Sequence, residues 1–259
     1  GMLTIVVPDS LRLTVLSQLP EALVIGAEET SSGAIAAIPD HIIWSQYDVV
    51  ACGPGLTPAA TPVVEAVLRC DQPLVLDADG LNILAQMDPV AQLQTRSAPT
   101  LLTPHPGEFR RLFPQPLAAT STPIEAARPA AQTANCIIIL KRAISVVAHP
   151  NGQLWLNVDS TPALARGGSG DVLTGLVTGL VAQLCRAQET LDTCVLDAAI
   201  AAVWWHAQTG RYLARHRTDL GCAAHQISQA LPLALATQLA TADQSNSAKE
   251  VAGKSCPQL

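Results

Sequence analysis

Asp171 stands directly behind four small residues, Gly167-Gly168-Ser169-Gly170, and directly ahead of an apolar run that opens with Val172-Leu173. Small residues in succession give up side-chain packing and cost backbone entropy. The stretch therefore calls for a reason: a tight turn, a close backbone approach, or an anion. Unhindered amides at a helix N-terminus form an anion site. A bare phosphate site would not place a carboxylate beside it, because like charges repel. Asp171 fits as a base that takes a proton from a substrate hydroxyl while the amides hold charge on a transferred phosphoryl group. A plain turn with Asp171 as a helix cap accounts for the same residues, and the motif alone leaves both readings open. It is neither a Walker A loop, which needs Gly-Lys-Ser/Thr, nor a dinucleotide G-x-G-x-x-G after a strand.

Other residues invite the same question. In Thr103-Pro104-His105-Pro106-Gly107-Glu108 the two prolines hold His105 in extended backbone. Gly107 then turns the chain into a helix opened by Glu108. A histidine so fixed can meet a polar ligand; a surface-loop histidine is the plainer alternative. Gly53-Pro54-Gly55 is a tight turn that can also let a ligand approach. Lys141, after the run Ile137 to Leu140, can reach a nucleotide phosphate or extend to solvent. Asp77, Asp79 and Asn82 share one short stretch; the acids could ligate magnesium, but such pairs are more often solvated turn residues. No protein-bound metal site is assigned.

The elements that must position these residues follow one plan. Residues 47–56, 73–82, 99–109 and 136–145 each hold four or five apolar residues without alternation and end in small or polar ones. Such runs suit strands buried on both faces of a parallel sheet. Residues 3–8 and 22–26 read as two further strands around a short helix, and 59–70 reads as a helix. Strand–helix alternation predicts a three-layer α/β/α domain with a mainly parallel central sheet. In such sheets ligands gather beyond the carboxyl ends of the strands, where Gly53, Gly55, Asp77, Asn82, His105, Glu108 and Lys141 all fall. Residues 145–157 predict a β-hairpin turning at Asn151-Gly152. Val172, Leu173, Leu176, Val177, Leu180, Val181 and Leu184 give one wide helical face, with Gly175 and Gly179 expected to admit a close neighbour. Helices are expected over 192–215 and 223–239. One domain is expected over 1–240, followed by a polar, patternless and mobile tail over 241–259.

Bulk properties exclude several classes. Of 259 residues, 49% are hydrophobic and 14% charged, enough for a large core and too apolar for wholesale disorder. The net charge of −6 argues against a general nucleic-acid binder. No apolar run is long enough to span a bilayer and no signal-peptide pattern opens the chain, so a cytoplasmic protein without membrane partners is expected. The seven cysteines (Cys52, Cys70, Cys136, Cys185, Cys194, Cys222 and Cys256) form no C-x-x-C pair and read as core filler, not catalytic thiols.

Taken in order, GPGL (53–56), LDADGLN (76–82), LTPHPGEFRRL (102–112), Lys141 and ARGGSGDVLTG (165–175) resemble the ADP/ATP-dependent NAD(P)H-hydrate dehydratases of the ribokinase-like superfamily. The resemblance runs from about residue 2 to about 235. It implies a repair reaction: a nucleotide, ADP or ATP with Mg2+, phosphorylates the hydroxyl of hydrated NADH or NADPH, and the phosphate is then eliminated. It implies Asp171 as base and Gly167, Gly168, Ser169 and Gly170 as anion hole. Lys141, Arg142, Ala143, Ile144 and Ser145, with Gly170, would line the nucleotide. Gly53, Gly55, His105 and Asp171 would face the hydrated cofactor, with Asp77, Asn82 and Glu108 as secondary candidates. Homo-oligomers are common in the family.

The departures from the family pattern are specific. A glycine-rich segment, a helix and a strand that supply part of the hydrated-cofactor site are expected ahead of the point where this chain starts. Arg142 replaces a glycine and is expected to crowd the nucleotide loop. Ser160-Thr161-Pro162 stands for Gly-Asn-Pro, and His225 for an aspartate. Two alternatives accompany the repair reading. One is a ribokinase-like kinase of a thiazole or pyrimidine alcohol, against which the PHPGE loop argues. The other is a non-catalytic nucleotide-binding paralogue.

Overall fold

The computed structural model describes residues 1–119, 122–186, 191–220 and 222–253, with the backbone alone for 117 and 242–253. The chain opens with β1 (Thr4–Pro8), α1 (Arg12–Gln18) and β2 (Leu23–Ala27), a parallel pair forming its own two-stranded sheet. A six-stranded sheet follows: β3 (Val50–Cys52), β4 (Leu74–Leu76), β5 (Thr100–Leu102), β6 (Ile137–Leu140), β7 (Ser145–Ala148) and β8 (Leu154–Asn157), side by side in chain order. The pairs from β3 to β6 are parallel. β7 and β8 add the predicted antiparallel hairpin, with Gly152 at φ +89° in its turn.

The apolar runs alternate between two cores, which accounts for the three layers. Leu74, Leu76, Leu102, Ile138, Leu140, Val146 and Ala148 point to one face. There they meet α2 (Thr61–Leu68), α3 (Ala78–Leu84), α5 (Pro106–Leu112) and α7 (Pro123–Ala134); α4 (Pro89–Gln94) and α6 (Pro114–Ala118) pack against α7. Val75, Leu101, Ile137, Ile139 and Val147 point to the other face, against α8 (Ser169–Leu184) and α9 (Leu191–Arg217). With both faces covered there is no solvent face to impose polar alternation on the strands.

Three expectations need correction. α10 runs Ala224–Gly253, past residue 241. Residues 241–253 contain no proline and include Ala242, Gln244, Ala248, Lys249, Glu250 and Ala252, which lose little in a helix, so a helix already begun continues. Residues 254–259 lie outside the described residues. Gly175 and Gly179 face open space, with nothing within 4 Å of a side chain built there, so they admit no close neighbour among the described residues. Finally, Cys185 and Cys194, at the end of α8 and the start of α9, are disulfide-bonded with Cα atoms 5.5 Å apart. Cys52, Cys70, Cys136 and Cys222 are buried free thiols, as core filler should be, and Cys256 lies outside the described residues.

Candidate active site

Hydrogen bonds between successive loops bring the carboxyl ends of β3 to β6 together. The Asp77 amide donates to the Cys52 carbonyl (3.1 Å), the Thr103 amide to the Leu76 carbonyl (3.1 Å), and the Lys141 amide to the Pro104 carbonyl (2.8 Å). Gly53 permits the first contact. Its φ is +132°, and a Cβ there would lie 1.8 Å from the Asp77 carbonyl oxygen. The Cys52 thiol is close by but inert: burial, and then Cys70, push it up to about 12.

Asp77 is not the solvated turn residue expected of an acid in such a loop. It is 1% exposed, and its two oxygens are taken by different elements. Lys141 Nζ donates to Oδ1 at 2.6 Å and Thr174 Oγ1 to Oδ2 at 2.7 Å. A charge so buried survives through such partners. Glu108 is buried as well. It completes a capping box at the start of α5: the His105 amide donates to Glu108 Oε2 (2.8 Å), and His105 Nδ1 accepts from the amides of Gly107 (2.9 Å) and Glu108 (3.3 Å). With Nδ1 accepting, the neutral ring carries its proton on Nε2, which lies 3.3 Å from Glu108 Oε1. His105 is therefore a helix cap with a half-exposed ring. Asn82 accepts two bonds from the Arg111 guanidinium (3.1 and 2.8 Å) and donates to Asp79 (3.2 Å), bridging α3 and α5.

The anion turn lies across the sheet end from these loops. Gly168 is the N-cap of α8 at φ +82°, in the left-handed region, with no side-chain cap. The Ser169 amide is spent on the Arg166 carbonyl and the Val172 amide on the Gly168 carbonyl. The amides between them, Gly170 and Asp171, have no acceptor among the described residues, as at an uncapped helix N-terminus. Asp171 is exposed in that first turn, and its carboxylate makes no hydrogen bond or ion pair among the described residues. Gly170 closes the site from this side: a Cβ there would lie 3.1 Å from Lys141 Nζ and 3.6 Å from Asp77 Oδ2. Gly167 is exposed and Gly168 half-buried.

The remaining candidates converge less. Arg142, Ala143 and Ile144 are exposed, and the Arg142 side chain has no polar partner among the described residues. Ser145 donates to the Arg142 carbonyl (3.1 Å) and fixes the loop. Gly55, at φ +76°, faces open space. Thr161, of the altered Ser-Thr-Pro stretch, donates to Asp219, and Arg166 holds the carbonyls of Asp219 and Leu220 at 3.2 Å. These bonds pin the segment beyond α9 beside the anion turn. His225 is exposed in the first turn of α10. Among the described residues no group of three or more His, Cys, Asp or Glu gathers where it could hold a metal ion. Asp77 is taken by an ammonium and a hydroxyl, so these residues do not form a resident magnesium site.

Thr174, Arg111, Asp219 and His206 escaped the sequence reading. Thr174 had a signal, a hydroxyl three residues after Asp171 on an apolar helix. His206 on α9 is 8% exposed, with Nε2 3.3 Å from Ser169 Oγ. Burial is the main cause that lowers it to about 4; the Ser169 contact works the other way, and the Lys141 charge adds to the lowering. The unfolded chain, near the ordinary value of 6.5, binds the proton more readily. Stability is therefore full above about pH 6.5 and falls toward pH 4, by roughly 3 kcal/mol for this group. Urea unfolding at pH 7 and pH 4.5 should show the loss, and His206→Gln should flatten it.

Comparison with known proteins gives one answer. The family model described as NAD(P)H-hydrate dehydratase matches residues 1–233. The bifunctional NAD(P)H-hydrate repair enzyme Nnr of Thermosynechococcus vestitus is 47% identical over 227 residues; the match covers 88% of this chain and only 42% of that protein's length. Among solved structures, the ADP/ATP-dependent NAD(P)H-hydrate dehydratase of Bacillus subtilis, co-crystallised with ATP/Mg2+ and soaked with CoA, superposes with a TM-score of 0.70 at 30% identity, covering 92% of this chain and 81% of that one. A ribokinase-like superfamily protein from Enterococcus faecalis superposes with a TM-score of 0.70 at 26% identity, covering 90% and 76%. The fold is thus ribokinase-like, and the chain belongs to the NAD(P)H-hydrate dehydratase family.

Proposed function

We propose that this chain dehydrates hydrated NADH or NADPH at the expense of ADP or ATP. One observation carries the reading. Asp77, Asp79 and Glu108 are each engaged by neighbours, whereas among the described residues Asp171 is unengaged and stands beside two unpaired amides at the N-terminus of a 16-residue helix. Asp171 takes the proton of the ring hydroxyl as its oxygen attacks the terminal phosphorus of the nucleotide. The bond from that phosphorus to the bridging oxygen breaks, with AMP leaving from ADP or ADP from ATP. The Gly170 and Asp171 amides and the Lys141 ammonium hold the charge that develops on the phosphoryl oxygens. Breaking the ring C–O bond then releases inorganic phosphate, and loss of a neighbouring ring proton restores the double bond. Gly53, Gly55 and His105 face the hydrated cofactor, and Lys141 to Ser145 line the nucleotide. Magnesium enters with the nucleotide phosphates.

Phosphate accounting tests the reading. With NADH hydrate and ADP the chain should release one inorganic phosphate per reduced nicotinamide recovered. Phosphate retained on the organic product would instead make it a kinase. Because Arg142 is exposed and has no polar partner among the described residues, Arg142→Gly should leave ADP affinity within a few-fold, as titration calorimetry would show; a large gain would mean that Arg142 does obstruct the site.

A further inference from the structure

Asp77 occupies the N-cap position of α3, where an aspartate ordinarily accepts a bond from the first-turn amides. Here it makes no such bond. Both oxygens point away, to Lys141 at the end of β6 and to Thr174 in the second turn of α8. The next residue, Ala78, has φ +48°, in the left-handed region that a non-glycine residue adopts only at a cost in strain. The fold thus gives up a cap and accepts strain where it aims a carboxylate at a lysine. The lysine is itself unusual. Lys141 is one of only three in the chain, with Lys249 and Lys254 near the end, and every other cation is arginine. An ammonium carries three donors, and the Asp77 bond uses one. The side chain is 21% exposed and its nitrogen lies 3.1 Å from the point a Gly170 Cβ would occupy.

We propose that Asp77 and Thr174 are positioning residues that fix the Lys141 ammonium under Gly170, with its two remaining donors toward the anion turn. The proposal rests on the phosphoryl-transfer reading for its purpose but not for its geometry. The carboxylate and ammonium cancel, so the unit adds direction more than charge. Thr174 acts through Asp77: its hydroxyl sets the carboxylate plane, which sets the lysine. Removing that hydroxyl frees the lysine without removing any charge.

The test reads the lysine directly. The intact chain is treated with trace acetic anhydride and acetylation at Lys141, Lys249 and Lys254 is followed by mass spectrometry. Lys141 should be the slowest in the wild type. In Thr174→Val its rate, relative to the other two, should rise roughly tenfold, the equivalent of one lost hydrogen bond to a charged group, and Thr174→Ser should restore it. Asp77→Asn should raise it further. In turnover, Thr174→Val should lower kcat by a similar factor while nucleotide KM stays within a few-fold, and Thr174→Ser should recover kcat. Asp77→Asn should lower kcat yet also lower nucleotide KM, because it leaves the ammonium unopposed; a merely structural role would not separate the two constants. Should Asp77→Asn fail to fold, the Thr174 pair decides alone. Unchanged Lys141 reactivity in a folded Thr174→Val overturns the proposal. The reactivity pattern without any hydrate turnover would overturn the functional reading and leave the positioning intact.

Discussion

Asp171→Asn is expected to reduce turnover of NADH hydrate by at least about 100-fold, the lower end of what a positioned general base contributes, while leaving ADP affinity within a few-fold. The two halves come from separate features. On the proposed reading the Lys141 loop and amides that the substitution leaves in place hold the nucleotide, so binding should survive. The proton acceptor is lost, because an amide oxygen is far less basic than a carboxylate. Binding should if anything tighten slightly, since a negative charge is removed beside phosphates. Single-turnover kinetics with calorimetric ADP titration separate these effects. Retained turnover would remove Asp171 from the chemistry and return it to the role of an acid favoured at a helix N-terminus. A parallel loss of binding and turnover would mean that the anion turn had been disturbed.

Gly53→Ala is expected to destabilise the chain by about 3–5 kcal/mol, in the range reserved for backbone strain and overpacking. Two effects combine. A φ of +132° is strained for any residue with a side chain, and the added carbon would sit 1.8 Å from the Asp77 carbonyl oxygen. That obstacle is backbone, so no rotamer change relieves it. The β3 and α3 ends must separate, breaking the Asp77 amide bond to Cys52 and moving the carboxylate that holds Lys141. Denaturant unfolding should report the lost stability, and the folded fraction should have lower kcat. Wild-type stability would show that these loops yield more readily than their close approach indicates.

The sheet was legible from sequence because its strands are short apolar runs between polar loops, and two-sided burial writes itself directly into composition. The hairpin was legible from Asn151-Gly152. The start of α8 was legible because four small residues before an acid and an apolar run mark a turn into a helix. What was hidden depends on partners distant in the chain. Asp77 reads as a solvated turn residue until Thr174, 97 residues away, and Lys141, 64 away, close over it. A nearer partner was missed at His105: framed by prolines, it reads as a ligand contact or a surface-loop histidine, and its capping of α5 through Glu108 and two amides was not foreseen. His206 follows a pair of tryptophans on an apolar helix face, and nothing local says that it meets Ser169. The extension of α10 past 241 escaped notice because a polar helix carries no apolar period.

The most direct test of the account supplies the purified chain with magnesium, freshly prepared NADH hydrate, and ADP or ATP in separate reactions, and follows the return of the reduced-nicotinamide absorbance. The account predicts recovery that requires the nucleotide and is abolished in Asp171→Asn. No recovery with either nucleotide, while the Bacillus subtilis enzyme is active alongside, would contradict it.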